Sequence, residues 1–282
     1  MYPKISVITP SYNQARFLEK TILSVLNQNY PNLEFVIIDG GSNDGSVDII
    51  RKYQRYLSYW VSEKDKGQTD ALNKGFRMAT GELVAWQNSD DIYLPGAFNT
   101  LASYVNRYPD YDIYFGNIYL MDSNDDVLRE IRFHPFSVHN LIYYDWNLSS
   151  QASFWRNETF NKVGFLRNLD VAFDFEWFVR LAQNRLRFFF IHEFLGAYRM
   201  HRDSKLALVK DRDKIKKGIL RLYGIEYTSK QGFERKHRFK RIFLQLRKMY
   251  YYAVQADFRY IYYIVKKRIT KYVRARICPF GE

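Results

Sequence analysis

The sequence predicts an α/β fold: a mixed, mostly parallel sheet flanked by helices, with a basic helical extension at its C-terminal end. Three observations carry this expectation. Over roughly the first 90 residues, short apolar runs alternate with amphipathic stretches of helix length, the pattern of parallel strands joined by crossover helices. The loops between them are polar and turn-rich: Pro10-Ser-Tyr-Asn-Gln14, Asp39-Gly-Gly-Ser-Asn-Asp-Gly45 and Glu63-Lys-Asp-Lys-Gly-Gln68. The positive charge lies at one end, with 21 Lys and Arg against 6 Asp and Glu from Leu206 to Glu282, and 22 against 24 before it.

Ile5 to Thr9 reads as the first strand and Ala15 to Asn27 as the helix after it. Leu33 to Asp39 is the second strand and Ser46 to Tyr56 a helix; Tyr59 to Ser62, Thr69 to Ala79 and Leu83 to Gln87 continue as strand, helix and strand. Ligands bind beyond the carboxyl ends of the strands in such sheets, so the three loops and Asn88 to Asp91 are expected to converge on one crevice. A helix follows Pro95 to about Tyr108, and Ile113 to Leu120 and Val127 to Phe133 form a hairpin about Asp122-Ser-Asn-Asp-Asp126. Leu141 to Trp155 is less regular. Thr159 to Val163 and Asp174 to Asn184 read as helices, and Leu186 to Ile191 and Phe194 to Tyr198 as short strands.

At 282 residues and 47% hydrophobic, the chain can bury a sizeable core and is not a disordered segment. Cys278 is the only cysteine, so neither an intrachain disulfide nor a cysteine cage for a metal is available, which suits a reducing cytosol. The N-terminal residues enter strand pattern at once and lack the regions of a signal peptide, and no run of ~18 uncharged apolar residues predicts a spanning helix. The sequons at Asn147 and Asn157 then carry no weight.

The paired carboxylates Asp90 and Asp91 leave an apolar run directly, a placement that suits a hard-cation site completed by a substrate's phosphates. The competing reading is that they cap the helix that Pro95 helps start. Asp39 ends the second strand before Gly40, Gly41 and Gly45, a loop able to present an acceptor close to a ligand. Neither a dinucleotide fingerprint nor a phosphate loop occurs. Tyr12 could stack on a base or simply pack within its loop.

Ile5-Ser-Val-Ile-Thr-Pro-Ser-Tyr-Asn-Gln14, Val36-Ile-Ile-Asp-Gly-Gly-Ser-Asn-Asp-Gly-Ser46, Asp70-Ala-Leu-Asn-Lys-Gly75, Ala79-Thr-Gly-Glu82 and Asn88-Ser-Asp-Asp91 occur in this order. With Asp174-Phe-Glu-Trp-Phe-Val-Arg-Leu-Ala182 and Tyr198-Arg-Met-His201, they closely resemble the GT-A-type glycosyltransferases of family 2. The resemblance covers residues 1 to about 205, and it implies a GT-A, Rossmann-like domain with a nucleotide-binding half (1–91) and an acceptor half (92–205).

It implies further that Pro10, Tyr12, Asp39, Gly41, Asp70, Asn88 and Ser89 line the nucleotide, with Tyr12 stacked on the base and Asp39 accepting from it. Asp90, Asp91 and His201 are then expected at a Mn²⁺ or Mg²⁺ ion, although Asn88 departs from the family's first aspartate and supplies no charge. Asp174 matches the general base of an inverting displacement, although an Asp there could also serve as an N-cap. Gln151 and Arg199 fall on the acceptor or diphosphate side, and Arg156 suits ordinary surface hydrogen bonding. The expected activity is metal-dependent transfer of a sugar from a nucleotide donor, a UDP-sugar, to a glycan or lipid-linked acceptor. A sugar-phosphate nucleotidyltransferase and a non-catalytic adaptor using the tail are the alternatives.

From Phe239 onward, Phe239, Ile242, Phe243, Leu246, Met249, Tyr250 and Ala253, then Ile261, Ile264, Val265, Ile269, Tyr272 and Val273 recur at helical spacing among Lys and Arg. Residues 206–282 are therefore expected to be a basic amphipathic extension. It can lie on an anionic membrane, placing the protein peripherally on the inner face of the cell membrane. Packing on the catalytic domain and homo-oligomer formation are the competing uses. No recognition motif suggests nucleic acid.

Overall fold

Strand β1 (Ile5–Ser11) is buried along its whole length, because strands pair on both its edges and helices cover both faces of the sheet. The structure, a computed structural model, describes residues 1–143, 148–202, 211–227, 246, 248–254 and 257. Two compact units divide the chain, Met1–Tyr227 and Thr228–Glu282. In the second unit residues 248–254 are helical, and the other positions of the expected tail periodicity, Leu246 apart, lie outside the described residues.

In the first unit β1 is followed by α1 (Ala15–Leu26), β2 (Leu33–Asp39), α2 (Ser46–Tyr53), β3 (Tyr59–Ser62), α3 (Gln68–Met78) and β4 (Leu83–Trp86). β5 (Ile92–Tyr93), α4 (Ala97–Arg107), β6 (Ile113–Met121), β7 (Val127–Ile131) and α5 (Val138–Tyr143) come next. β8 (Ser153–Arg156), α6 (Thr159–Val163), α7 (Phe173–Gln183), β9 (Phe188–Arg199) and α8 (Arg212–Arg221) complete it. The strands form one sheet in the order β3-β2-β1-β4-β8-β6-β9-β5, with β7 paired to β6. Parallel pairing joins β3, β2, β1 and β4, and also β6 and β9, whereas β5, β7 and β8 run antiparallel to their partners.

The chain leaves β1 for β2 on one side and returns to β4 on the other, so strand order reverses between β1 and β4. That reversal opens a crevice at the strand ends. Pro10 sits there without penalty. β4 pairs with β1 only as far as Trp86 opposite Ile8, so the N–H that proline lacks has no partner waiting on that side. β1 therefore runs two residues further than Thr9, through Pro10 to Ser11, paired with β2 alone.

Two glycines of the sequence motifs explain how the layers close. A Cβ on Gly75 would stand 2.5 Å from Ile8 Cγ2, so this glycine lets α3 sit directly on β1. A Cβ on Gly81 would meet Ser6 Oγ at 2.5 Å. There the backbone turns into β4 against Glu34, whose carboxylate accepts from Thr80 N at 2.8 Å, Thr80 Oγ1 at 2.6 Å, Lys4 Nζ at 3.0 Å and the Ser6 hydroxyl. The Ala79-Thr-Gly-Glu82 motif is thus a clamp at the end of the sheet opposite the crevice. Arg156 belongs to that end too, ion-paired with Glu82 and donating to Tyr111 O at 3.1 Å.

On the β4–β8 side the core is aromatic. Trp86 and Trp155 meet edge to face at 5.0 Å between centroids, Phe76 and Phe160 lie 4.9 Å apart, and Trp177 of α7 stacks on Phe160 at 5.6 Å. Three details differ from the sequence expectation. The two strands expected at Leu186–Ile191 and Phe194–Tyr198 are one twelve-residue strand, β9, which begins at Phe188 and absorbs His192 and Glu193 through register shifts opposite Phe115 to Ile118. The irregular stretch contains α5 and the short antiparallel β8, and β5 is a further two-residue strand. Helix α4 starts from Gly96 in a left-handed conformation, so Asp90 and Asp91 do not cap it.

Candidate active site

The crevice is floored by two interlocked loops. Asp44 accepts from Ala15 N at 2.9 Å and so satisfies a free N–H at the start of α1 from a different segment, while its other oxygen accepts from Ser46 N at 3.0 Å. Asn13, held at a φ of 51°, accepts from Asn43 N at 3.0 Å and donates its own N–H to Ser42 Oγ at 2.8 Å. Above this floor Tyr12 is 62% exposed, an open ring at the end of β1.

Asp39 is buried at the end of β2. Its Oδ2 accepts from Ser42 N at 2.8 Å, Gly41 N at 3.1 Å and Ser62 Oγ at 2.7 Å, and its Oδ1 from Ser42 Oγ at 2.6 Å. Gly41 has a φ of 82°, which lets the chain curl back over the carboxylate. Ser62 was not singled out in the sequence. Its place at the end of β3, in register with Asp39, is the signal that could have found it.

Asp70, in the first turn of α3, accepts from Lys66 N at 3.1 Å and lies 3.6 Å from Lys74 Nζ, so it organises the third loop. From that helix Gln68 donates to Asn88 Oδ1 at 2.9 Å, and Asn88 Nδ2 donates to Asp91 Oδ2 at 2.9 Å. The amide that departs from the family's aspartate is therefore a relay between α3 and the end of β4. Ser89 is buried beside it.

Asp90 and Asp91 have different surroundings. Asp91 is buried, with Oδ1 accepting from Arg199 N at 2.8 Å and Oδ2 from Gln151 Nε2 at 2.7 Å as well as from Asn88. Burial, then the neighbouring Asp90 charge, push its carboxyl well above the usual range, against the pull of those three donors. Asp91 thus lies behind the crevice. Asp90 faces forward: its side chain is 19% exposed and its Oδ2 stands 2.9 Å from His201 Nε2. His201 in turn packs on Phe17 of α1 at 4.9 Å between centroids.

Gln151 and Arg199, expected on the acceptor or diphosphate side, are both buried. Gln151 reaches Asp91 because residue 196 is glycine; a Cβ there would run into the Gln151 carbonyl oxygen. Arg199 Nε donates to Asp90 O at 2.7 Å, its Nη1 reaches Asp122 O at 3.2 Å and pairs with Asp125, and its guanidinium lies 4.9 Å over the Phe17 ring. It binds the tip of the β6–β7 hairpin, α1 and the Asp90 backbone into one unit. Asp125, which the sequence left unmarked, belongs to this unit.

Asp174 enters from the other wall. Helix α7 starts from Ala172 in a left-handed conformation at a φ of 57°, so Asp174 sits in the first turn and not at the N-cap. Phe173 packs 6.1 Å from Trp86 at the end of β4, which seats this turn beside the segment carrying Asn88 to Asp91. The side chain is half-buried. Its Oδ1 accepts from Phe175 N at 2.8 Å, and among the described residues no ion pair reaches it. Desolvation pushes its carboxyl above the ordinary range, only partly offset by the N–H groups of Phe175 and Asp174 itself.

A cation at Asp90 and His201 would have one carboxylate and one imidazole from the protein. Among the described residues no group of three or more acidic, His or Cys side chains gathers to hold a metal. The pair fits an ion that takes the rest of its ligands from a substrate's phosphates, and the imidazole suits Mn²⁺ better than Mg²⁺.

Residues 6–178 match the model of glycosyl transferase family 2. An uncharacterized glycosyltransferase of Methanocaldococcus jannaschii is 26% identical over 246 residues, covering 84% of this chain and 82% of its own. The GalNAc(5)-diNAcBac-PP-undecaprenol beta-1,3-glucosyltransferase of Campylobacter jejuni is 33% identical over 132 residues, 45% of this chain and 42% of its own. Among solved structures, TarS 1-349 of S. aureus in complex with UDP-GlcNAc superposes with a TM-score of 0.65 at 20% identity, over 78% of this chain and 65% of that one. The mannosyltransferase PcManGT of Pyrobaculum calidifontis, in complex with GDP-Man and Mn²⁺, gives 0.59 at 19% identity over 83% and 68%. The sheet is that of the GT-A fold. With its family model matched through β1 to α7 and over more than half its length, the chain belongs to glycosyl transferase family 2.

Proposed function

We propose that this glycosyltransferase is an inverting enzyme that moves a sugar from a nucleotide-sugar donor, a UDP-sugar in the first instance, to a hydroxyl of a glycan or lipid-linked acceptor. The observation that carries the reading is Asp174, a carboxyl that has no cationic partner among the described residues and whose affinity for protons is raised by desolvation at the wall of the crevice. Such a group suits a general base better than an ion-paired aspartate would. It takes the proton of the acceptor hydroxyl as that oxygen attacks the anomeric carbon, and the nucleoside diphosphate leaves from the opposite face.

Tyr12 offers its exposed ring to the base, and Asp39 and the Gly41 loop border the nucleoside, with Pro10 and Asp70 holding the loops on either side. Asp90 and His201 would hold Mn²⁺ or Mg²⁺, which supplies charge neutralisation to the departing diphosphate. Asp91, Gln151, Asn88 and Arg199 then act from behind by fixing the backbone of Asp90. Support for the donor class comes from the UDP-GlcNAc and GDP-Man complexes of the structural neighbours, and for a lipid-linked acceptor from the name of the C. jejuni relative.

The cationic segment 206–282 supports peripheral contact with the inner face of the cell membrane, where lipid-linked acceptors would be found; self-association is the competing use. Among the described residues no helix is long and apolar enough to cross a membrane. The deciding experiment is a panel of UDP- and GDP-sugars with Mn²⁺, monitored for donor hydrolysis and for inversion at the anomeric carbon. Turnover of one donor with inversion and its loss in Asp174→Asn is expected. Retention of configuration would overturn the single-displacement reading.

A further inference from the structure

We propose that Tyr223 is a positioning residue for Asp174, holding the first turn of α7 from outside through a hydrogen bond to Glu176. The inference rests on the reading of Asp174 as the base. It starts from a deficiency. Helix α7 begins at Ala172 with no side-chain cap, so the turn that carries Asp174 lacks the usual local device for fixing a helix start.

Glu176, two residues beyond Asp174, supplies the anchor. Its side chain is 0% exposed, and it gathers partners from three segments. Arg180 of the same helix places Nε and Nη2 each 3.1 Å from it, Arg167 from the preceding loop comes within 3.5 Å, and the Tyr223 hydroxyl donates to its Oε1. Burial and the Glu176 carboxylate push the Tyr223 hydroxyl up to about 12, so it stays a donor throughout the working range. The Arg167 guanidinium lies 5.4 Å over the Tyr223 ring, closing the group.

The sequence after the family match is built to deliver that hydroxyl. Asp211 caps α8 through Lys214 N at 2.9 Å, and Leu220 is buried as the helix's anchor. Gly224, at a φ of 65°, then ends it, with Ile225 N–H bonded to Leu220 O at 3.0 Å. Tyr223 is the residue just before that glycine. On the same side Lys216 Nζ lies 5.2 Å over the ring of Phe175, the residue between Asp174 and Glu176. The family model ends at residue 178, so α8 and Tyr223 lie beyond the segment it matches.

The test uses the full chain and the nucleotide sugar it hydrolyses fastest. Tyr223→Phe removes one hydroxyl and keeps the ring under Arg167. Losing a hydrogen bond to a charged group should lower kcat on the order of tenfold, with donor KM unchanged. Amide exchange in the peptide 173–178 should quicken, and in an Asp174→Asn background Tyr223→Phe should cause no further loss, because the two act through one group. A kcat within twofold of the wild type while Asp174→Asn is inactive would overturn the inference, and so would equal losses in kcat and donor affinity together with a lowered Tm. If Asp174→Asn stays active, the base assignment is what fails, and exchange in 173–178 still decides whether Tyr223 holds the helix.

Discussion

Gln151 Nε2 donates to Asp91 Oδ2 across 2.7 Å, and through that bond the segment ahead of β8 grips the end of β4. Asp91 has three protein donors and no exposed edge, whereas its neighbour Asp90 looks into the crevice beside His201. Two adjacent aspartates have thus divided the work: one is spent on architecture, and the other remains available to a ligand.

Gln151→Leu should therefore destabilise the protein more than its burial alone suggests. The leucine fills the volume but leaves a buried carboxylate short of a donor, a loss of about 1–3 kcal/mol. Urea unfolding should show a lower midpoint at unchanged slope, and donor turnover per folded molecule should fall as the Asp90 backbone loosens. A wild-type midpoint would mean that Asp91 has a substitute donor.

Chelation should abolish donor turnover, with Mn²⁺ restoring it better than Mg²⁺ because of the imidazole at His201. Asp90→Asn should remove the metal dependence of UDP binding, measured by titration calorimetry with and without Mn²⁺, without lowering Tm. Asp91→Asn should do the reverse, lowering Tm first. Metal-dependent binding that survives in Asp90→Asn would remove this residue from the ligand set.

The residues explain why some of this was legible in the sequence and some was not. β1, β2 and β4 are short apolar runs between polar loops, and burial on both faces leaves that signature in any parallel sheet. β9 was split in two because His192 and Glu193 interrupt its apolar pattern, although the backbone pairs on through a bulge. β8 has four residues and one antiparallel partner on each side, too little for periodicity to mark. Motif order singled out Asp39, Asp90, Asp174 and His201, of which Asp90 and His201 stand 2.9 Å apart. It could not tell that Arg199 and Gln151 face inward, because that depends on Gly196 and on the hairpin tip at Asp125, which are remote in sequence. Asp174 looked like an N-cap by the usual preference, yet the left-handed turn at Ala172 moved the cap two residues upstream.

Asp174 should carry opposite signatures in activity and stability. Its folded carboxyl binds protons more tightly than an unfolded Asp near ~3.9, so it contributes fully to stability below that value and costs stability as pH rises through the folded value. Asp174→Asn should then equal or exceed the wild type in Tm at neutral pH while losing about 10²- to 10⁴-fold in kcat. The acid limb of kcat/KM in the wild type should lie above the ordinary aspartate range. Lowered Tm together with near-normal turnover would assign this residue to structure.

Acid should strip away the clamp at Glu34. Burial alone would raise this carboxyl, but the hydrogen bonds from Ser6, Thr80 and Lys4 prevail and hold it down to about 2. With a folded value below the unfolded one, its contribution is full above about 4.5 and disappears as pH falls towards about 2. Glu34→Gln should lower Tm at pH 7 and narrow the gap to the wild type as the pH drops through that window. A gap independent of pH would show that shape, and not charge, matters at this position.

The cationic segment is the remaining element to test, since residues 206–282 hold 21 Lys and Arg against 6 acidic residues. If it rests on an anionic membrane, the chain should co-sediment with vesicles containing phosphatidylglycerol or phosphatidylserine and be released by salt, since such attraction is screened within a Debye length of about 8 Å at physiological ionic strength. Truncation would also remove α8 and its hold on α7, so charge reversal at Lys266, Lys267, Arg268 and Lys271 is the cleaner probe. That variant should lose vesicle binding and activity on a lipid-linked acceptor while keeping donor hydrolysis, because none of the four belongs to the unit that contains the crevice. Equal binding to neutral and anionic vesicles, or to neither, would leave packing on the catalytic domain or self-association as the better account, and sedimentation of the free protein would tell the two apart.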